Sequence, residues 1–178
     1  MRLFVSTIKT PVGPFSIAVD ATGAVTATAF GGRDQLRGRI SRCHLIDDKL
    51  ATRATATQVA EYFAGQRTQF DLQLGSSGTP FQQRVWAALQ EIPFGTTCSY
   101  GNLAHALKTS PRAIGRANAT NPICLLVPCH RVIGADGSLT GFAFGETIKR
   151  RLIDHERAVR ARIGKPPTRH RAIIHISV

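Results

Sequence analysis

Apolar positions along this chain first alternate and later recur at helical spacing, with the change near residue 77. Phe15, Ile17 and Val19 alternate, Asp20-Ala21-Thr22-Gly23 offers a turn, and Val25, Ala27 and Ala29 alternate again. That pattern predicts a β-hairpin. The polar stretch 33–48 predicts a loop. Residues 49–63 turn helical, with Val59, Tyr62 and Phe63 on one face and Gly65 placed to end the helix. Phe70, Leu72 and Leu74 predict one more strand, and Gly75-Ser76-Ser77-Gly78 a linker.

Beyond the linker the start signals are helical. Thr79-Pro80-Phe81-Gln82 combines an N-cap threonine, a proline at the first helical position and a capping-box glutamine. The helix is expected to run to about Gln90, burying Phe81, Val85 and Leu89, and Ile92-Pro93-Phe94-Gly95 closes it. A second helix is expected over 99–107, with Tyr100, Leu103, Ala104 and Leu107 inward. Ser110-Pro111 then repeats the cap-plus-proline start for a third, small and basic, which Asn121-Pro122 ends. Two short helices joined by a tight turn form a helix-turn-helix pattern. Asp136-Gly137 marks a hairpin-type turn. A last helix is expected over 146–157 with Ile148, Leu152 and Ile153 as its stripe and Glu156 one step further on the same face. Lys149, Arg150 and Arg151 are expected elsewhere around it. A carboxylate on a buried face costs several kcal/mol (order of magnitude) unless something pairs with it.

The chemistry concentrates in Pro128-Cys129-His130-Arg131-Val132, at the end of the apolar run 123–127, which reads as a short buried strand or extended segment. Proline fixes the backbone where the thiol appears. A cysteine held rigidly at the edge of a core, beside a potential base, is a candidate nucleophile. Free cysteine is also among the most buried residue types, so on the pentapeptide alone a structural thiol is an equal reading.

Composition narrows the choice. The 178 residues carry a net charge of +12 and 43% hydrophobic residues, enough for one domain or two small ones. No acidic residue lies between Glu91 and Asp136, whereas Lys108, Arg112, Arg116 and Arg131 do, so a polyanion such as nucleic acid is the natural partner. After Glu156 come Arg157, Arg160, Arg162, Lys165, Arg169 and Arg171, expected to form a flexible basic tail. There is no membrane-length apolar run or signal-peptide pattern, so a cytoplasmic protein is expected. The four cysteines form no CxxC pair, and Cys43-His44 has no obvious ligand partners; no metal or cofactor is expected.

Ile92-Pro93-Phe94-Gly95, Ser99-Tyr100-Gly101, Pro111 to Gly115, Asn121-Pro122 and Val127 to Val132 together resemble the O6-alkylguanine-DNA alkyltransferases, also called methylated-DNA–protein-cysteine methyltransferases. The resemblance is dense over 79–156 and looser in the N-terminal part, where Thr10 to Pro14 and Tyr62 to Gly65 still fit. It implies an α+β protein: a β-rich N-terminal domain with a helix (1–77, ribonuclease-H-like), a mostly helical DNA-binding and alkyl-transfer domain (78–157) containing the helix-turn-helix, and a tail (158–178).

The resemblance also implies direct-reversal DNA repair. One alkyl group passes irreversibly from O6-alkylguanine in duplex DNA, with O4-alkylthymine a further substrate it allows, to Cys129. His130 takes the thiol proton through a water, Glu156 orients the imidazole, Tyr100 serves the leaving base as donor, and Asn121 braces the turn before the cysteine. Arg112 fills the space of the flipped base, and Tyr100, Ala113, Gly115, Arg116 and Ala117 lie against DNA in the minor groove. Pro128, Val132, Phe142, Ala143 and Phe144 line the pocket. The loop 141–145 is bulkier than usual, and Phe142 stands where tyrosine is common, which bears on the range of alkyl groups accepted. A monomer is expected, with cooperative binding on DNA left open. A binding-only relative would lack the cysteine. A cysteine hydrolase would need its thiol and base on the same side of the chain, and a transcription regulator leaves the Cys-His-Glu set unexplained.

Overall fold

The computed structural model describes residues 1–40, 43–75 and 77–164. The chain divides into two compact units, Met1–Ser77 together with Pro122–Leu126, and Gly78–Asn121 together with the residues from Val127 onward. The short run Pro122–Leu126 therefore belongs with the N-terminal unit, although by sequence it falls inside the expected C-terminal domain.

In the first unit, β1 (Arg2–Thr10), β2 (Gly13–Val19), β3 (Val25–Phe30) and β4 (His44–Asp47) form one sheet in the order β3-β2-β1-β4. The expected hairpin is β2–β3, antiparallel with Ile17 opposite Thr28. Its turn is closed by Asp20, whose side chain accepts from the Thr22 and Ala24 amides at 2.8 and 3.1 Å, and by Gly23 at φ +84°. β1 pairs antiparallel with β2, and β4 parallel with β1. Residues 33–48 are not simply loop: they hold α1 (Arg33–Arg37) and β4. Each element is so short that its polar residues hide the period. α2 (Arg53–Phe63) is the expected helix and buries Val59 and Tyr62. Phe70 to Leu74 do not make a strand. Only Leu74 bridges Val25, in parallel, because the Val25 amide bonds the Gln73 carbonyl and its carbonyl takes the Gly75 amide, both at 2.8 Å.

The run 123–127, expected as a short buried strand or extended segment, is an extended segment with a break. Ile123 bridges Thr28, and Leu125, buried, turns the backbone at φ +72°. Inserting beside β3 places the Thr28 hydroxyl 2.7 Å from the Cys124 carbonyl, which accepts from it.

In the second unit, α3 (Pro80–Gln90) begins with a full capping box: the Gln82 amide donates to Thr79 Oγ1 at 3.3 Å and the Thr79 amide to Gln82 Oε1 at 2.8 Å. β5 (Cys98–Ser99) leads directly into α4 (Tyr100–Ala106), and α5 (Pro111–Ala119) follows. The turn between α4 and α5 is a Schellman cap. The Thr109 amide reaches back to the Ala104 carbonyl and the Lys108 amide to His105, with Lys108 at φ +52° where glycine is usual. α3 locks onto α5 through Trp86, whose indole N–H donates to the Ala117 carbonyl at 2.9 Å. β6 (Val132–Ile133) pairs in parallel with β5. The expected hairpin turn near Asp136 is the closed loop 134–138, with no second strand after it among the described residues. α6 (Glu146–Arg162) runs five residues past the expected end at 157, so the first part of the expected tail is helix; 165–178 lie outside the described residues. No helix among the described residues is long and apolar enough to cross a membrane.

The Thr28 hydroxyl supports a buried carbonyl in the segment that leads to Cys129. Thr28→Val keeps the shape and removes the donor, and urea denaturation is expected to show a loss of about 1–3 kcal/mol. An unchanged midpoint would show that Cys124 needs no such support.

Candidate active site

The site is built on one backbone device. Pro128 has φ −80° and ψ 62°, an inverse γ-turn in which the Cys129 amide donates to the Val127 carbonyl at 2.8 Å. Asn121 Nδ2 donates to that same carbonyl at 2.9 Å, so it braces the turn as expected. Cys129, His130 and Arg131 then form a single 3₁₀ turn, which the Arg131 amide closes on the Pro128 carbonyl at 3.0 Å. Cys129 is 4% exposed. β5–β6 pairing, with Cys98 opposite Val132, brings the start of α4, and so Tyr100, beside this turn.

Glu156 reaches the turn from α6. Its Oε1 is 2.7 Å from His130 Nε2, and both side chains are wholly buried. Arg131 binds the same carboxylate through Nε, at 2.9 Å to Oε2, and through Nη2, at 3.0 Å to Oε1. The Gly95 amide donates to Oε2 at 2.9 Å. Arg131 Nη1 also donates to the Ile92 carbonyl at 2.6 Å, and its guanidinium lies 5.6 Å from the Phe94 ring centre. This explains Ile-Pro-Phe-Gly as a motif. The loop is a cradle for the carboxylate and its arginine, and Gly95, at φ +73°, has no room for a Cβ, which would sit 2.8 Å from Arg160 Cδ.

The charges follow from this geometry. Burial raises the Glu156 carboxyl, but His130 and Arg131 outweigh it and hold it well below the usual carboxylate range. Burial lowers His130 most strongly, and Glu156 opposes without reversing it. With the Arg131 fork and the Gly95 amide on the carboxylate, the arrangement favours an ionised Glu156 beside a neutral imidazole. A carboxylate only accepts, so Nε2 carries the hydrogen and Nδ1 keeps its lone pair. Nδ1 is buried with no protein partner.

Three residues were misplaced or missed by sequence reasoning, and one is set deeper than expected. Arg131, counted with the basic DNA-facing residues, is 7% exposed and committed to Glu156. Ala117, expected against DNA, is 3% exposed with its carbonyl the partner of Trp86, yet it lines the α5 groove beside Arg112, Ala113 and Arg116. Lys149, expected away from the buried face, is fully buried, donates to the Thr140 carbonyl at 3.1 Å and lies 5.8 Å from the Tyr100 ring centre. Its spacing to Leu152, Ile153 and Glu156 by three, four and seven put it on that face from the start. Desolvation lowers its pKa to about 8, opposed by Cys129 and Glu146. Asn118, in α5, was not singled out and contacts both Tyr100 and the Cys129 backbone.

The remaining expected residues divide cleanly. Tyr100 is part-buried, and burial first, then Cys129, raises its phenol while Asn118 opposes them. Arg112 and Arg116 are exposed on α5, with Ala113 and Gly115 half-buried between them. A groove of about 470 Å³ runs along this face, lined by Phe81, Gln82, Arg112, Ala113, Arg116 and Thr120 among others. Pro128 and Val132 are buried beside the thiol. Phe142 is buried with its ring edge on Phe144 at 5.5 Å, and Ala143 is exposed. Among the described residues no group of three or more His, Cys, Asp or Glu could hold a metal.

Comparison with known proteins covers both units. The family model for "6-O-methylguanine DNA methyltransferase, DNA binding domain" matches residues 80–158, and that for its "ribonuclease-like domain" matches 3–75. A methylated-DNA–protein-cysteine methyltransferase of Mycobacterium tuberculosis is 44% identical over 154 residues, 85% of this chain and 91% of the relative. One from Methanosarcina acetivorans is 38% identical over 156 residues, covering 86% and 98%. The crystal structure of M. tuberculosis OGT in complex with DNA superposes with a TM-score of 0.79 at 40% identity, covering 89% of this chain and 94% of that one.

Glu156→Gln leaves Arg131 buried and uncompensated, and is expected to cost about 3–5 kcal/mol at neutral pH in chemical denaturation. The sign with pH follows from the depressed carboxyl. Its contribution is complete above the unfolded value of 4.5 and is lost as pH falls below it. The gap between wild type and variant should therefore narrow below pH 4.5; a gap independent of pH would show that the carboxylate charge is not what stabilises.

Proposed function

The chain belongs to the 6-O-methylguanine DNA methyltransferase family, and on that premise we propose that Cys129 is the residue that receives the alkyl group. The protein repairs DNA by alkyl transfer to a cysteine of its own. What selects Cys129 among the four is the buried His130–Glu156 pair beside it, with a free imidazole lone pair on the unbonded side.

The chemistry follows from that arrangement. His130 Nδ1 accepts the thiol proton through a water, since adjacent side chains of the 3₁₀ turn do not face each other. The Cys129 thiolate attacks the alkyl carbon on O6 of guanine, the C–S bond forms as the C–O bond breaks, and the electron pair leaves with the base. Tyr100 donates to that departing base, where charge develops. Glu156 stays ionised and stabilises the imidazolium that His130 becomes. The product is a thioether, which no group here can cleave, so each molecule acts once.

The target base cannot be attacked while stacked, so it is flipped from the duplex into the space beside Cys129. α4 and α5 act as a helix-turn-helix, with the exposed face of α5 in the minor groove. Small Ala113 and Gly115 permit close approach, Arg112 fills the vacated position, and Arg116 contacts phosphate. Val132, Phe142, Ala143 and Phe144 bound the pocket, and the Phe142–Phe144 contact limits the size of alkyl group it takes. O4-alkylthymine would use the same chemistry. The first unit, with sheet order β3-β2-β1-β4 and a parallel β4, supports a ribonuclease-H-like assignment. All of this machinery comes from one chain, which fits a monomer acting in the cytoplasm, where thiols stay reduced.

Incubation with a duplex carrying one O6-methylguanine, followed by peptide mass analysis, should place a single methyl on the Cys129 peptide with no second turnover. Cys129→Ala should abolish transfer and leave DNA affinity within about twofold. Methyl on another cysteine, or transfer surviving in the variant, would contradict the assignment.

A further inference from the structure

Asn118 is 3% exposed, and one atom of its amide lies 3.3 Å from the Cys129 carbonyl oxygen and 3.4 Å from the Tyr100 hydroxyl oxygen. A carbonyl only accepts, so that atom is Nδ2 and not Oδ1. A flipped amide would set two acceptors face to face. The Cys129 carbonyl is itself held, because the Val132 amide donates to it. Since the contact atom is a donor, the Tyr100 oxygen must accept from it. The hydroxyl's own hydrogen is thereby turned away from Asn118, and in the free protein it goes to the Thr140 carbonyl at 3.4 Å.

The surroundings keep that direction open. A Cβ on Gly141, at φ +82°, would sit 2.8 Å from the Tyr100 oxygen, so this position must be glycine for the hydroxyl to be approached from that side. The cost of the arrangement is visible in Asn118 itself, whose Oδ1 is buried without a hydrogen bond. Leucine would fill similar space with no unmatched polar atom, so stability alone does not account for an amide here.

We propose that Asn118 is a positioning residue that sets the polarity of Tyr100, donating to the phenol oxygen so that its hydrogen is presented to the leaving guanine. The inference rests on the reading of Tyr100 as the donor to that base. As the C–O6 bond breaks, the phenol O–H is shared with the departing base and negative charge grows on the phenol oxygen. The Asn118 N–H stabilises that charge, and the Lys149 ammonium over the ring adds to it. Lys149 and Cys129 are the titratable groups coupled to the phenol, and the test leaves both in place.

A double-mutant cycle tests this with single-turnover transfer from a duplex carrying one O6-methylguanine. Asn118→Leu should slow transfer about tenfold with duplex Kd changed less than about twofold, and should slow it no further in a Tyr100→Phe background. Equal slowing in both backgrounds would overturn the proposal, because a purely structural residue acts whether or not the hydroxyl is present. If Tyr100→Phe leaves the rate unchanged, the donor reading fails and this inference with it; a slow Tyr100→Phe with an additive Asn118→Leu overturns the inference alone. A second readout uses the two tyrosines of the chain, Tyr62 and Tyr100. With ¹³Cζ-labelled tyrosine and Tyr62 as reference, Asn118→Leu should raise the titration midpoint of Tyr100, and an unmoved midpoint counts against the proposal. Asn118→Ala gives both readings without added bulk if the leucine variant does not fold.

Discussion

An ionised carboxylate in the core decides which nitrogen of His130 is available. Glu156 would be neutral in that environment by burial alone. Arg131, forked across both oxygens, and the Gly95 amide keep it charged. A charged Glu156 takes the hydrogen bond from Nε2 and leaves Nδ1 with a lone pair. Without Arg131 the pair could share a proton, and the imidazole would lose its fixed tautomer. The arginine of the pentapeptide therefore serves the thiol at second hand, and the loop 92–95 exists in its present form to hold the arginine.

The same economy governs the backbone around Cys129. Two carbonyls each take two bonds: Val127 from the Cys129 amide and Asn121, Cys129 from the Val132 amide and Asn118. Both asparagines come from α5 and the residues just after it. The helix whose exposed face carries Arg112 and Arg116 thus fixes, from its other side, the turn that presents the thiol and the orientation of Tyr100.

Much of this was legible in the residues. Caps at Thr79 and Ser110 marked two helices because each signal is local: a side chain and an amide three residues on. The β2–β3 hairpin was readable for the same reason. β4 was not, since its parallel pairing with β1 joins residues far apart in sequence; β1 was missed although it closes a tight antiparallel hairpin with β2, and the isolated bridge at Leu74 shows alternation without a ladder. At the site, Cys129, His130, Glu156, Tyr100 and Asn121 could be named from the family resemblance. Arg131 and Lys149 were hidden by their charge, which argued for solvent, although helical spacing already placed Lys149 in line with Glu156. Asn118 could not be read at all. Its meaning lies in two acceptors, one on α4 and one on the cysteine's own backbone, that only the fold brings together.

The proposed mechanism depends on the protonation state of one imidazole. ¹⁵N imidazole NMR of the free protein at pH 7, with His130 assigned by substitution, reads it directly. A neutral ring with hydrogen on Nε2 and a bare Nδ1, persisting as pH falls below the ordinary histidine value of 6.5, is the predicted result. An imidazolium at pH 7, or hydrogen on Nδ1, would leave the thiol without its base and contradict the mechanism.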